Sequence, residues 1–248
     1  MSSADRGSTT PDRPHGRTGQ ASGSGKTGLP VPTATVVLRP LGSPLPIGFL
    51  GLAGGTFVLA GLQLGWVAPL QGHDVALVLL AFVFPVQAVA TVFGFLARDS
   101  VVATGMGVLS GTWLALGAVT ASNPPGYTSN AVGLLLMVVG LALLVPVAAS
   151  GSNKILASTV LATASVRFFL TGAYELSGAQ AWKHAAGAAG LLLTAFALYA
   201  ALAFEMEDQK HRTVLPTWRR GAGAEAFDGD PADQVEQITK EAGVRQEL

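Results

Sequence analysis

The chain has 248 residues, half of them hydrophobic and only 12% charged, with no cysteine and a formal net charge of zero. Soluble domains usually carry about 25% charge, so this composition argues against one. The absence of cysteine excludes disulfides, thiolate metal sites and cysteine nucleophiles. The zero balance hides segregation, because few charges lie between Pro46 and Phe204 and most lie in the two tails.

Residues 1–42 are rich in Gly, Ser, Thr, Pro and basic residues, with almost no apolar content before Leu29. A stretch of this kind cannot bury enough apolar surface to order itself, so a disordered cytoplasmic tail is expected. No short apolar run with a cleavage site follows a basic start, as a secretory signal would require. Gly23-Ser24-Gly25-Lys26-Thr27 looks like a phosphate-binding loop, but Gln20 stands where its first glycine should be. It also lacks the flanking strand and helix that such a loop needs.

Six apolar runs follow, at Pro46–Ala68, Val75–Ala97, Val101–Thr120, Ala131–Ala149, Ile155–Leu176 and Ala185–Phe204. A hydrocarbon core ~30 Å thick takes ~20 apolar residues of helix to cross. The runs are continuous rather than alternating, which excludes the ~10-residue strands of a membrane barrel. The expected fold is therefore an all-α polytopic integral membrane protein, a bundle of six transmembrane helices over residues 43–206. Many of the 31 glycines lie inside these runs, where small residues let neighbouring helices approach. Gly48, Gly51 and Gly55, then Gly61 and Gly65, form such a stripe in the first span.

Residues 207–248 read as a polar tail, with basic clusters at Lys210-His211-Arg212 and Arg219-Arg220 and a short polar helix over 231–243. Six crossings put both tails on one side. That side carries Lys26, Arg39, Arg98, Lys154, Lys210, Arg212, Arg219 and Arg220, and the other only Lys183. Basic residues stay in the cytoplasm, so the expectation is a multi-pass protein of the cell (plasma) membrane with both termini cytoplasmic.

The entry to the first span reads Ser43-Pro44-Leu45-Pro46-Ile47-Gly48-Phe49-Leu50-Gly51-Leu52-Ala53. A second block runs from Phe93-Gly94 through Ala103-Thr104 to Trp113, and a third from Gly187-Ala188-Ala189-Gly190 through Thr194-Ala195-Phe196 to Tyr199-Ala200. In order and spacing these blocks resemble the acetate uptake transporter family, which includes the YaaH-type succinate–acetate/proton symporters. The likeness covers roughly residues 40–208, and the chain reads as a divergent member. Pro44, Pro46, Gly48 and Gly51 match the family signature, whereas Ser43 stands in place of its asparagine. Leu52 and Leu109 stand where the family carries the aromatic and the tyrosine of its pore constriction. The resemblance implies six helices around a pore in each protomer, a homo-oligomer, usually a hexamer, and Thr104 among the substrate-path candidates. The two prolines also have a local reading. A proline at a helix start loses no hydrogen bond, and each holds the preceding residue extended.

Arg167 is the most unusual residue, an ionisable group near the middle of the fifth span, where charge is expensive. Thr163, Thr171 and Tyr174 lie at i−4, i+4 and i+7 from it, on one helical face. Such a stripe suits a carboxylate held bidentately. The alternative is a structural arginine that snorkels or pairs with Glu175, Glu205 or a helix C-terminal carbonyl. Gln87, after Pro85 in the second span, reads as a link between helices or as a pore-lining residue, whereas Thr91, Thr104, Ser110 and Thr112 read as packing or back-bonded hydroxyls, and Gln63 as similar to them. His73-Asp74 and Lys183-His184 read as outer-loop residues or as groups at a pore mouth.

No spacing resembles a metal site, a catalytic triad or paired carboxylates, so no catalytic residue, metal or cofactor is expected and the chain does not read as an enzyme. The expected partners are a small carboxylate anion, protons and the lipid bilayer, with no nucleic acid. The leading function is transport of acetate or another small monocarboxylate, as a channel or a symporter. The competing class is a non-transporting scaffold or sensor on the same fold.

Overall fold

The computed structural model describes residues 42–150, 154–210 and 212–218. The Gly23–Thr27 motif, the expected disorder of the N-terminal tail, and the polar helix expected over 231–243 lie outside the described residues. Among the described residues every regular element is helical, and six helices are long and apolar enough to cross a membrane. They are α1 (Leu45–Leu64), α2 (Pro69–Leu96), α3 (Ser100–Ser122), α4 (Asn130–Ser150), α5 (Ile155–Ser177) and α6 (Gln180–Lys210).

Each end has a local cause. α1 begins between the two prolines, at Leu45, which is helical and not held extended by Pro46, because a proline is accepted in the first turn, and it stops at Leu64 rather than continuing to Ala68. Gly65 takes a left-handed conformation there (φ 81°) and returns its N–H to the Gly61 carbonyl, the usual glycine C-cap. α2 starts six residues before its apolar run, on a 3₁₀ turn at Pro69–Gln71. A π turn over Leu79–Val83 precedes Pro85, which has no N–H to continue the ladder and whose ring crowds the preceding turn. Asp99 caps α3 by accepting from Val102 N at 3.2 Å and also pairs with Lys154 at the start of α5. α6 runs through the polar residues Glu205–Lys210, good helix formers that need no lipid. Residues 212–218 then lie back against it, Tyr199 Oη donating to the Pro216 carbonyl at 3.0 Å.

Consecutive helices pack against each other and α6 closes on α1, so the six form a ring. Neighbours are antiparallel. On the α1–α6 seam, Cβ atoms built at Gly187 and Gly190 would meet Leu64 and Ala60, while Phe49 stacks on Phe204 at 6.0 Å at the other end. Between α1 and α2, Gly48, Gly51 and Gly55 leave room for Ala90, Val86 and Val83. At Gly94 an added Cβ would lie 2.9 Å from Ala103 N, so α2 and α3 meet backbone to backbone. Gly133 and Gly172 do the same for α4 and α5. As a result α1, α3 and α5 run in one direction and are the most buried, whereas α2 and α4 are the least. The outward surface is apolar, with Phe82 and Val89 on α2 and Leu134, Val138 and Leu141 on α4 exposed. Trp66, Tyr127 and Trp182, all exposed, ring the loop end away from the termini, the position of an interfacial aromatic belt.

Candidate functional site

The co-directional helices α1, α3 and α5 surround a common axis, and two spaces mark its ends. At the end away from the termini lies a cavity of about 170 Å³. Leu59 and Gln63 of α1, Leu116 and Thr120 of α3, and Thr171 and Tyr174 of α5 form its wall and floor. At the terminal end is a cleft of about 10 Å³ between Leu45, Phe49, Val102, Met106, Ala157 and Leu161, room for at most one water. Every residue of the cleft comes from the same three helices.

Between the two spaces each helix contributes fully buried groups: Leu52 and Thr56 from α1, Leu109 and Trp113 from α3, Arg167 and Phe168 from α5. The Trp113 and Phe168 rings lie 5.8 Å apart. Thr56 hydroxyl bonds that of Thr194 on α6 at 2.9 Å while donating back to the Leu52 carbonyl. The axis is thus closed in the middle by two leucines and two large rings. Apolar narrowings of this kind exclude water.

Arg167 lies against this closure and faces inward, wholly buried. Its Nη2 donates to Gln63 Oε1 at 3.4 Å, and its Cζ is 6.0 Å from the Trp113 ring centroid. Nε and Nη1 have no acceptor, nor has Trp113 Nε1. Gly190 makes the space for this side chain, since a Cβ there would come within 2.8 Å of Arg167 Nε. Among the described residues no carboxylate pairs with it. Glu175, an expected alternative partner, accepts instead from Ser129 N at 2.8 Å and holds the start of α4. A buried cation with open donors is costly unless an anion or dipole answers it.

The other sequence candidates separate into groups. Thr171 and Tyr174 face the cavity, and Lys183 on its rim sits 5.8 Å from the Tyr174 ring. Leu52 and Leu109 lie on the closed axis. Pro44 and Pro46 are buried at the start of α1, and Gly48 and Gly51 face α2. Thr104 is exposed on α3. Thr163 is half-buried, donates back to the Thr159 carbonyl and lines neither space. Gln87, buried, donates to the Gly48 carbonyl at 3.2 Å and ties α2 to α1. His73 lines the cavity, whereas Asp74 and His184 do not. Sequence reasoning gave no weight to Trp113 and Phe168 as axis residues. The available signal was depth, because they fall at the level of Thr56 once three parallel helices are set in register.

The sequence model of the GPR1/FUN34/yaaH family matches residues 26–219. A search of curated proteins returns no match. Among solved structures, the fold is similar to that of the bacterial acetate channel SatP, with a TM-score of 0.63 and 24% identity over 71% of this chain and 99% of that one. This is a likeness of fold. The chain is a multi-pass membrane protein, and it belongs to the GPR1/FUN34/yaaH family.

Proposed function

We propose that this chain moves acetate or a similarly small carboxylate across the plasma membrane, along the axis between α1, α3 and α5. The unit of transport is residues 43–206, with the tails 1–42 and 207–248 outside the path and in the cytoplasm. It works within a homo-oligomer, a hexamer by family resemblance. Family membership and the fold shared with an acetate channel support the substrate class. One observation carries the reading: Arg167, a wholly buried guanidinium with two unpartnered nitrogens, sits behind the floor of the axial cavity.

In this reading an anion enters the cavity past Lys183, meets Thr171 and Tyr174, and reaches Arg167. The leucine layer of Leu52 and Leu109 opens transiently to let it through. Leucines in place of aromatics leave that layer without a hydrogen-bonding hydroxyl, so passage depends on the anion being released from Arg167. Uptake of labelled acetate into proteoliposomes containing the full chain tests this. Uptake above empty liposomes, lost in Arg167→Ala, is expected. An inside-alkaline pH gradient that raises uptake marks a proton symporter, and an unchanged rate marks a channel. Absence of uptake across several small carboxylates overturns the proposal in favour of a scaffold or sensor.

A further inference from the structure

We infer that Gln63 is a displaceable plug: its amide oxygen holds on Arg167 the place that an entering carboxylate takes, and occupancy of the site requires the amide to leave. The inference rests on the transport reading above and assigns it a specificity-determining residue.

Gln63 is almost fully buried, yet it forms part of the cavity floor. It is the link between that open space and Arg167. Its two hydrogen bonds both point to the site: Oε1 accepts from Arg167 Nη2 and Nε2 donates to Thr171 Oγ1, each at 3.4 Å. These are long for such bonds, which cluster near 2.9–3.0 Å. Thr171 donates its own proton to the Arg167 carbonyl at 3.0 Å, so toward Gln63 it acts only as an acceptor, over a long 3.4 Å contact. A carboxylate on a guanidinium forms shorter bonds, roughly twice as strong as those of a neutral amide, and can engage two N–H groups at once. Arg167 Nη1 is open for the second of these.

The geometry gives the amide somewhere to go. The position of a Gly187 Cβ lies 3.3 Å from Gln63 Cβ, so the root of the side chain is held by α6. Its far end borders a cavity of about 170 Å³. Rotation about the outer torsions carries the amide into that space without moving α1. In the unoccupied site the neutral amide answers the buried cation weakly. An anion then replaces it, and its hydration is replaced by fixed donors.

Two substitutions move the site in opposite directions. Gln63→Glu places a tethered carboxylate within reach of Arg167, while Gln63→Ala removes the competitor. Both are compared with the full wild-type chain in acetate flux and in the thermal shift that acetate induces in detergent. For Gln63→Glu, flux drops about tenfold or more and the acetate-induced shift disappears, while the protein without acetate melts no lower than wild type. For Gln63→Ala, half-saturation falls several-fold and the acetate-induced shift grows. A purely structural glutamine predicts weaker acetate binding in Gln63→Ala, and that result overturns the inference. So does wild-type flux in a folded Gln63→Glu. If Gln63→Glu fails to fold, Gln63→Ala alone decides. Wild type that transports normally beside an unaffected Gln63→Glu removes the plug and keeps the transport reading. Wild type with neither flux nor an acetate-induced shift removes both.

Discussion

Arg167 is held by shape more than by charge. Its bonded partner is a neutral amide, its neighbour is an indole face, and the gap it fills exists because residue 190 has no side chain. Removing a buried cation that lacks an ionic partner relieves a desolvation cost. Arg167→Met is therefore expected to lose acetate flux by about tenfold or more while its thermal stability in detergent stays within about 1 kcal/mol of wild type or rises. Arg167→Lys keeps the charge but not the planar fork, and its flux should fall nearer to the methionine variant than to wild type. Gly190→Ala pushes on Arg167 Nε and on Ala60 together. A loss of about 1–3 kcal/mol in stability, with flux reduced, is the expected outcome in melting and uptake measurements. The arginine was visible in the sequence because one ionised group in an apolar run stands out. Its partners were not, since Gln63 lies 104 positions away and contact at that separation has no local signature. Thr163 shows the limit of helical-face arithmetic. It shares a face with Arg167, but the stripe from Thr163 to Tyr174 climbs ~16 Å at 1.5 Å per residue, too far for one small ligand.

At the level of the helix, the six apolar runs mark every crossing, because the lipid requirement for ~20 apolar residues leaves little ambiguity. What they do not mark is where hydrogen bonding stops. α1 ends on the backbone of Gly65, not on a change in hydropathy, and α2 and α6 start in polar residues that helix geometry accepts. The π turn before Pro85 follows from a missing N–H, and the chemistry of the prolyl ring is its only trace in the sequence. Glycines that look alike in the sequence also differ in the packed bundle. A Cβ at Gly94 runs into Ala103 backbone at 2.9 Å, whereas one at Gly111 meets nothing within 4 Å. Gly94→Ala should cost about 1–3 kcal/mol in detergent melting, and Gly111→Ala should be neutral or stabilising by up to about 1 kcal/mol through helix propensity. At the start of α3 the two roles of Asp99 separate in the same assay. Asp99→Asn keeps an N-cap acceptor and loses the half-buried pair with Lys154, an effect of about 1 kcal/mol or less. Asp99→Ala loses both, and should cost about 1 kcal/mol more.

For the whole molecule, the order of the ring places odd-numbered helices around the axis and leaves the flanks of α2 and α4 to lipid or to other copies. The axis is open toward the loops that join α1 to α2 and α3 to α4, and nearly filled toward the termini. With no native cysteine, single cysteines report this directly. Thr120→Cys, on the cavity wall, should react with a membrane-impermeant thiol reagent added on the face away from the termini, and the adduct should block acetate flux. Val102→Cys, at the filled end, should resist the same reagent from either face until substrate is present. Labelling of Val102→Cys as fast as Thr120→Cys contradicts the closed end.

Because α1, α3 and α5 all begin at the same face, the peptide dipoles of the inner wall add instead of cancelling. Their partial positive charge gathers at the narrow mouth, lined by these three helices alone, while at the wide one their negative ends are offset by the starts of α2, α4 and α6 that border the same cavity. The conduit is therefore an arrow, not a symmetric tube. Where the pH-gradient test marks a channel, anion current through a single oriented protein in a planar bilayer should be unequal at voltages of opposite sign, even between identical solutions.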